Sequence, residues 1–149
     1  MPSRTPRYGI VASRFNRPIT ESLVAGALSV FKAHRVPPAR VDVVRVAGAF
    51  ELSVAALRMA LSGRYRAVVA VGCILEGETP HFAYLSQATL TGLTLAGVLS
   101  GVPVTCGVIT AKDWKQALAR SQRKGLNRGR EAAAAAWDLA QALEKLDER

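Results

Sequence analysis

Acidic residues and cysteine are scarce in this chain, and each shortage removes a class of explanation. Of 149 residues only 11 are Asp or Glu, against 20 Lys and Arg, leaving a formal charge of +9. A surplus of that size draws phosphates, anionic small molecules, nucleic acid or acidic surfaces without choosing among them. The two cysteines, Cys73 and Cys106, both sit inside apolar, β-branched runs. They read as reduced core residues, with no disulfide framework and no structural metal expected. No apolar leader run follows the basic start, so a cytoplasmic protein is expected, with a loose N-terminal arm over residues 1–7. No repeat, low-complexity tail or linker interrupts the rest, and the length suits one domain over residues 1–149.

Charge of either sign is missing altogether from Thr79 to Ala111. A helix is expected from His81 or Phe82 to about Ser100, which is about the 20 residues needed to span a bilayer. Ser86, Gln87, Thr89, Thr91 and Thr94 make it too polar for that, and Gly92 and Gly97 suit close packing instead. A solvent-facing helix normally keeps a charged face, so its outer side should be covered. In so small a chain only a second copy can do this, and a homo-oligomer is expected.

What remains is an alternation of strands and helices. The stretches 8–13, 41–46, 67–75 and 102–109 are short and rich in Val and Ile, as strands buried on both faces are. Between them Ile19, Leu23, Ala27, Val30 and Phe31 step at helical spacing after Pro18, and Glu51 to Leu61 forms a second helix stopped by Gly63. Thr110 with Asp113 resembles a capping box for a helix carrying Trp114 and Leu118. A last, alanine-rich helix from about Gly129 to Leu146 is expected to pack Ala136, Leu139, Leu143 and Leu146 on one face. This order implies an α/β fold with a parallel sheet covered on both sides.

In such sheets ligands bind where the strands end and helices begin. The loops there carry Arg14-Phe15-Asn16, Gly48-Ala49-Phe50-Glu51, residues 77–81, and Thr110. Phe15 either stacks on a heterocyclic ring or staples the following helix. Glu51 either serves the helix start, where the dipole favours a carboxylate, or accepts hydrogen bonds from a ligand. Thr79 with the backbone amides after it could hold a phosphate, or form an ordinary turn before Pro80. His81 is either a helix-start side chain or a proton shuttle, whereas His34, beside Arg35 and Pro37, reads as surface. Arg120, Arg123, Lys124, Arg128 and Arg130 crowd a bent connection around Gly125 and Gly129, suited to a phosphate contact or simply solvated. Nucleic acid fits poorly, because interleaved aromatic platforms and recognition motifs are lacking.

In order, RFN at 14–16, GAFE at 48–51, GETPH at 77–81, GVPV at 101–104, and an Arg followed by a Gly- and Lys-containing turn at 120–129 resemble the lumazine synthase family of riboflavin biosynthesis. The likeness covers nearly the whole chain. It implies a flavodoxin-like, three-layer αβα sandwich with a four-stranded parallel sheet, assembled as a homopentamer or multiples of pentamers with active sites between subunits. It also implies a transferase that condenses a ribitylaminouracil with a butanone phosphate and needs no cofactor. On that resemblance Phe15 stacks on the pyrimidine, Ala49 and Phe50 offer backbone contacts, Glu51 and Asn16 hold the ribityl chain, and Cys73 and Leu75 line the wall. Thr79 and nearby amides, with Arg120 of a neighbouring subunit and Arg128 close by, bind the phosphate, Glu78 is a further substrate-binding residue, and His81 shuttles protons. Departures from the family pattern fall at Cys106, where an aromatic commonly covers the pyrimidine, at Glu76, and at Gln122 and Leu126, which replace glycines. A drifted paralogue that only binds the pyrimidine or builds a shell is the alternative these departures raise.

Overall fold

The structure, a computed structural model, describes residues 5–149; the first four residues of the expected arm lie outside it. Strands β1 (Arg7–Ser13), β2 (Val41–Val46), β3 (Tyr65–Leu75) and β4 (Val104–Ala111) alternate with helices α1 (Arg17–Ala33), α2 (Leu52–Leu61), α3 (His81–Ser100), α4 (Trp114–Ala119) and α5 (Arg128–Asp147). One-turn 3-10 helices precede β2 at Pro38–Arg40 and α2 at Ala49–Glu51. The four strands pair in parallel in the order β2-β1-β3-β4. Helices α1, α4 and α5 cover one face of this sheet and α2 and α3 the other, which is the three-layer αβα arrangement.

Burial follows position in the sheet. The central strand β3 is buried from Ala67 through Ile74 because helices cover both of its faces, whereas β2 at the edge is only partly covered. Strand β3 extends back to Tyr65, earlier than hydropathy alone suggests. At the other edge the expected start at Val102 gives way to Val104, because Pro103 has no N–H for the ladder; its carbonyl still accepts from Val68 N–H at 2.8 Å. Cys73 is buried as expected, but Cys106 is exposed, since β4 is an edge strand with one flank uncovered.

Helix α4 is capped by Asp113, whose carboxylate accepts Gln116 N–H at 2.8 Å. The expected partner Thr110 lies within β4, and the return bond comes from Gln116, which accepts Lys112 N–H at 2.8 Å. Helix α5 presents a different face from the one expected. Gly129, Ala132, Ala133, Ala136 and Ala140 are buried, and Leu139 and Leu146 are exposed. The reason is proximity at the start of the helix: a Cβ on Gly129 would collide with the backbone carbonyl of Leu23 in α1, so small side chains face α1 there, while farther along Trp137 stacks on Tyr8 and His34.

By length and composition α3 could cross a membrane, yet it lies on the sheet against α2 and β4. Only Thr89, Leu93 and Ala96 of its residues are buried. At the amino-terminal edge of the sheet Asp42 joins three strands, accepting from Arg7 Nη2 at 2.6 Å and Nε at 3.0 Å and from the Tyr65 hydroxyl at 2.8 Å. The Arg7 guanidinium, and then Tyr65, hold its carboxyl below the usual carboxylate range.

Two stability measurements follow. Gly129→Ala should lower the unfolding free energy by about 1–3 kcal/mol in a denaturant titration, the usual range for overpacking. Asp42→Asn should lower Tm at pH 7. Because the native carboxyl titrates below its unfolded value, the wild-type advantage is present above the ordinary Asp range and fades as pH falls below about 4; an undiminished difference at low pH would contradict it.

Candidate active site

At the opposite, carboxyl edge the loops leaving β1, β2 and β3 converge. After Ser13 the chain stays beside β2, with Arg14 N–H donating to Val46 O at 2.8 Å and Phe15 N–H to Ala47 O at 3.1 Å. Asn16 then takes a left-handed conformation, φ 61°, which asparagine tolerates better than most residues. Its Nδ2 donates to Cys73 O at 3.0 Å, pinning the loop to the end of β3. This turn throws the Phe15 ring outward, 71% exposed, so it does not staple α1.

Following β2, the turn at Ala49–Glu51 swings Glu51 back over the cleft, where Gly48 N–H donates to Oε2 at 3.1 Å. The helix-start role is thus real, and Oε1 has no partner among the described residues. From β3 come Cys73 and Leu75; burial pushes the Cys73 thiol up to about 11. Glu76 N–H donates to Ala111 O at 2.9 Å, prolonging the pairing with β4, and residues 77–80 then lead to His81 at the first turn of α3. Ala83 N–H already donates to Pro80 O at 3.1 Å, while the N–H groups of His81 and Phe82, at the first two positions of the helix, lie at the positive end of its dipole.

These pieces enclose a cleft of about 450 Å³ lined by Phe15, Asn16, Ala49, Phe50, Glu51, Cys73, Leu75, Thr79 and His81, together with Gly48, Ile74, Gly77, Phe82 and Leu85. The size and the lining, mostly apolar with a few converging polar groups, suit a small-molecule ligand. Phe82 and Leu85 escape a sequence reading. They sit one helical step apart on α3, but a helix with no charged face gives no clue to which side turns inward.

Not all the candidates meet here. Glu78 is on the same loop but outside the lining, and Cys106, Arg120 and Arg128 lie elsewhere. Arg120 caps the end of α4, its Nη1 donating to Gln116 O at 3.0 Å, and Arg128 pairs with Glu131 at 2.6 Å at the start of α5. Among the described residues no lysine or arginine lines the cleft. A larger hollow of about 940 Å³ opens at the other edge of the sheet around Arg7, Arg40, Asp42 and Arg64, but there Arg7, Asp42 and Tyr65 bind one another. Among the described residues no three His, Cys, Asp or Glu side chains are grouped to hold a metal ion.

The model of the family described as 6,7-dimethyl-8-ribityllumazine synthase matches residues 5–144. A protein of Caulobacter vibrioides named 6,7-dimethyl-8-ribityllumazine synthase 1 is 41% identical over 143 residues, which are 96% of this chain and 94% of that protein.

The buried thiol gives a direct check on the cleft wall. With its titration pushed up to about 11, Cys73 at pH 8 is thiolate to only about one part in a thousand. Cys73→Ser should therefore leave the number of thiols titrated in the native protein at pH 8 unchanged, while removing one after denaturation; loss of a fast-reacting native thiol would contradict the burial.

Proposed function

The chain belongs to the 6,7-dimethyl-8-ribityllumazine synthase family, and from that membership we infer that it condenses 5-amino-6-(D-ribitylamino)uracil with 3,4-dihydroxy-2-butanone 4-phosphate. The products are 6,7-dimethyl-8-ribityllumazine, phosphate and water, making it a transferase of riboflavin biosynthesis. The observation that carries the reading is the meeting of Phe15, Asn16, Glu51, Thr79 and His81 in one cleft at the ends of the strands. A paralogue that merely binds or builds a shell has no need of an imidazole beside that pyrimidine pocket, so the enzyme is favoured.

In this reading the exposed face of Phe15 stacks on the pyrimidine, with backbone groups of Ala49 and Phe50 at its edge and Cys73 and Leu75 behind. The ribityl hydroxyls take the unspent atoms: Glu51 Oε1, and Asn16 Oδ1, whose Nδ2 is committed to Cys73 O. Thr79 and the first-turn N–H groups of α3 receive the phosphate of the second substrate, with Glu78 counted among the substrate-binding residues of the same loop. A phosphate calls for a cation, ideally a guanidinium, and among the described residues the cleft of one chain has none. Arg120 of a neighbouring copy supplies it, with Arg128 nearby, and Cys106 of that copy closes the pyrimidine side.

His81 stands where protons must move. When the 5-amino nitrogen adds to the ketone carbon, the nitrogen loses protons and the carbonyl oxygen departs as water. Phosphate loss then requires a proton taken from the carbon beside the one bearing the leaving group. One such acid/base group contributes about 10²- to 10⁴-fold, whereas holding two substrates in attack geometry contributes roughly 7 to 11 kcal/mol. Positioning therefore supplies more of the rate gain than proton transfer does.

The same reading needs an oligomer, and α3 offers the surface. Tyr84, Leu95, Val98 and Leu99 stand exposed on it without a charged residue among its 20, a face that calls for a partner. We assign that partner as further copies of this chain in a pentamer or a multiple of pentamers.

His81→Ala should lower kcat by about 10²- to 10⁴-fold while keeping the native mass. Arg120→Ala should raise the KM for the butanone phosphate far more than that for the pyrimidine. Native mass measurement should give a multiple of the 15.9 kDa chain. Wild-type kinetics in both variants, or a monomeric mass, would overturn these assignments.

A further inference from the structure

The turn that carries Arg120 and Arg128 is held by two residues outside the cleft. Asn127 is only 1% exposed, and its amide binds in three directions. Nδ2 donates to Ser22 O in α1 at 3.0 Å and to Gln122 O at 3.2 Å, while Oδ1 accepts Arg130 N–H at 2.9 Å. Room for this comes from Gly26, since a Cβ there would collide with the amide. Arg130 grips the turn from the other side, Nη1 donating to Gly125 O at 2.8 Å and Nη2 to Arg123 O at 2.6 Å.

Between these two ties the chain closes on itself. Gln122 N–H donates to Leu126 O and Arg128 N–H to Arg120 O, both at 2.9 Å. The backbone of Arg120 is thus bonded directly to that of Arg128, one residue from the Asn127 anchor. The turn also has reason to open: Arg123, Lys124 and Arg130 repel one another, and Gly125 at φ 151° is unrestrained by a side chain. A guanidinium binds phosphate well only when its fork is correctly aimed, so an unanchored turn would spoil the aim of both arginines.

We propose that Asn127 and Arg130 are positioning residues that fix Arg120 and Arg128 for the phosphate of the substrate in the adjoining subunit's cleft. This rests on the phosphate role given to Arg120 above. The fork of Arg130 reaches two carbonyls at once, which a lysine ammonium on one flexible stem does not reproduce.

The test compares Arg130→Gln, Arg130→Lys and Asn127→Asp with Arg120→Ala in the full assembly, using both substrates and inorganic phosphate as inhibitor. Asn127→Asp keeps the acceptor that caps α5 but loses the donors to Ser22 and Gln122. For all three turn variants the KM for the butanone phosphate and the inhibition constant of phosphate should rise about tenfold, as for a lost charge-assisted hydrogen bond. The KM for the pyrimidine should stay within about twofold, a separation that general destabilisation does not produce. If Asn127→Asp does not assemble, the Arg130 variants decide. A rise in both KM values together, or no rise in variants that assemble, overturns the proposal. If Arg120→Ala raises the phosphate constants while the turn variants do not, only the positioning role falls. If Arg120→Ala leaves them unchanged too, the phosphate role itself fails and the positioning role goes with it.

Discussion

Four parallel strands end at the same edge of the sheet, so the loops that leave them for their helices are brought side by side along that edge. Everything chemical in this protein depends on that constraint. The inner strands β1 and β3 are buried on both faces, so their ends are fixed, and the loops inherit that rigidity through a few bonds. The Asn16 amide on Cys73 O ties the β1 loop to β3, and the Gly48 N–H on Glu51 shapes the turn after β2. An exposed aromatic ring, a carboxylate and an imidazole are thereby held around one cleft.

The same geometry leaves the cleft electrically incomplete. Its polar groups can receive hydroxyls and move protons, but none carries a permanent positive charge, although the chain as a whole has nine in excess. The surplus sits partly beyond β4, on the turn between α4 and α5, away from the chain's own cleft. An uncharged α3 with large apolar residues on its outside is the other half of this imbalance. The proposed assembly answers both, bringing one copy's arginines to the next copy's cleft while covering the apolar helix.

Much of this is legible in the residues. Valine- and isoleucine-rich runs give β1 and β2 almost to the residue, because β1 is covered on both faces and β2, though it carries Asp42 and Arg45 at the edge, keeps four valines. Asp113 marks the start of α4 by its chemistry, and Phe15, too large an aromatic for a polar loop, marks the cleft. The failures have equally physical causes. Leucine periodicity on α5 points to the wrong face because hydropathy does not register distance, and at Gly129 α5 approaches α1 so closely that a Cβ would collide with Leu23 O. Cys106 looks like core because its strand is apolar, but an edge strand is covered on fewer sides than a central one. Phe82 and Leu85 are hidden by the absence of any polar face on α3 against which an inward side could be recognised. Asn127 gives no local sign of its three-way anchorage, because its partner Ser22 is 105 positions away in sequence.

On the proposed assembly, a working site takes His81 from one copy and Arg120 from the next. This is tested most directly by unfolding His81→Ala and Arg120→Ala proteins together and refolding them as mixed assemblies. In a head-to-tail ring of equal, random composition about one interface in four pairs an intact His81 with an intact Arg120, so, at a butanone phosphate concentration far below the raised KM of Arg120→Ala, about a quarter of wild-type activity should return from two parents that each show little. If both residues instead serve a site within a single chain, no intact site can form in any mixture, and activity confined to the sum of the parents would contradict the account.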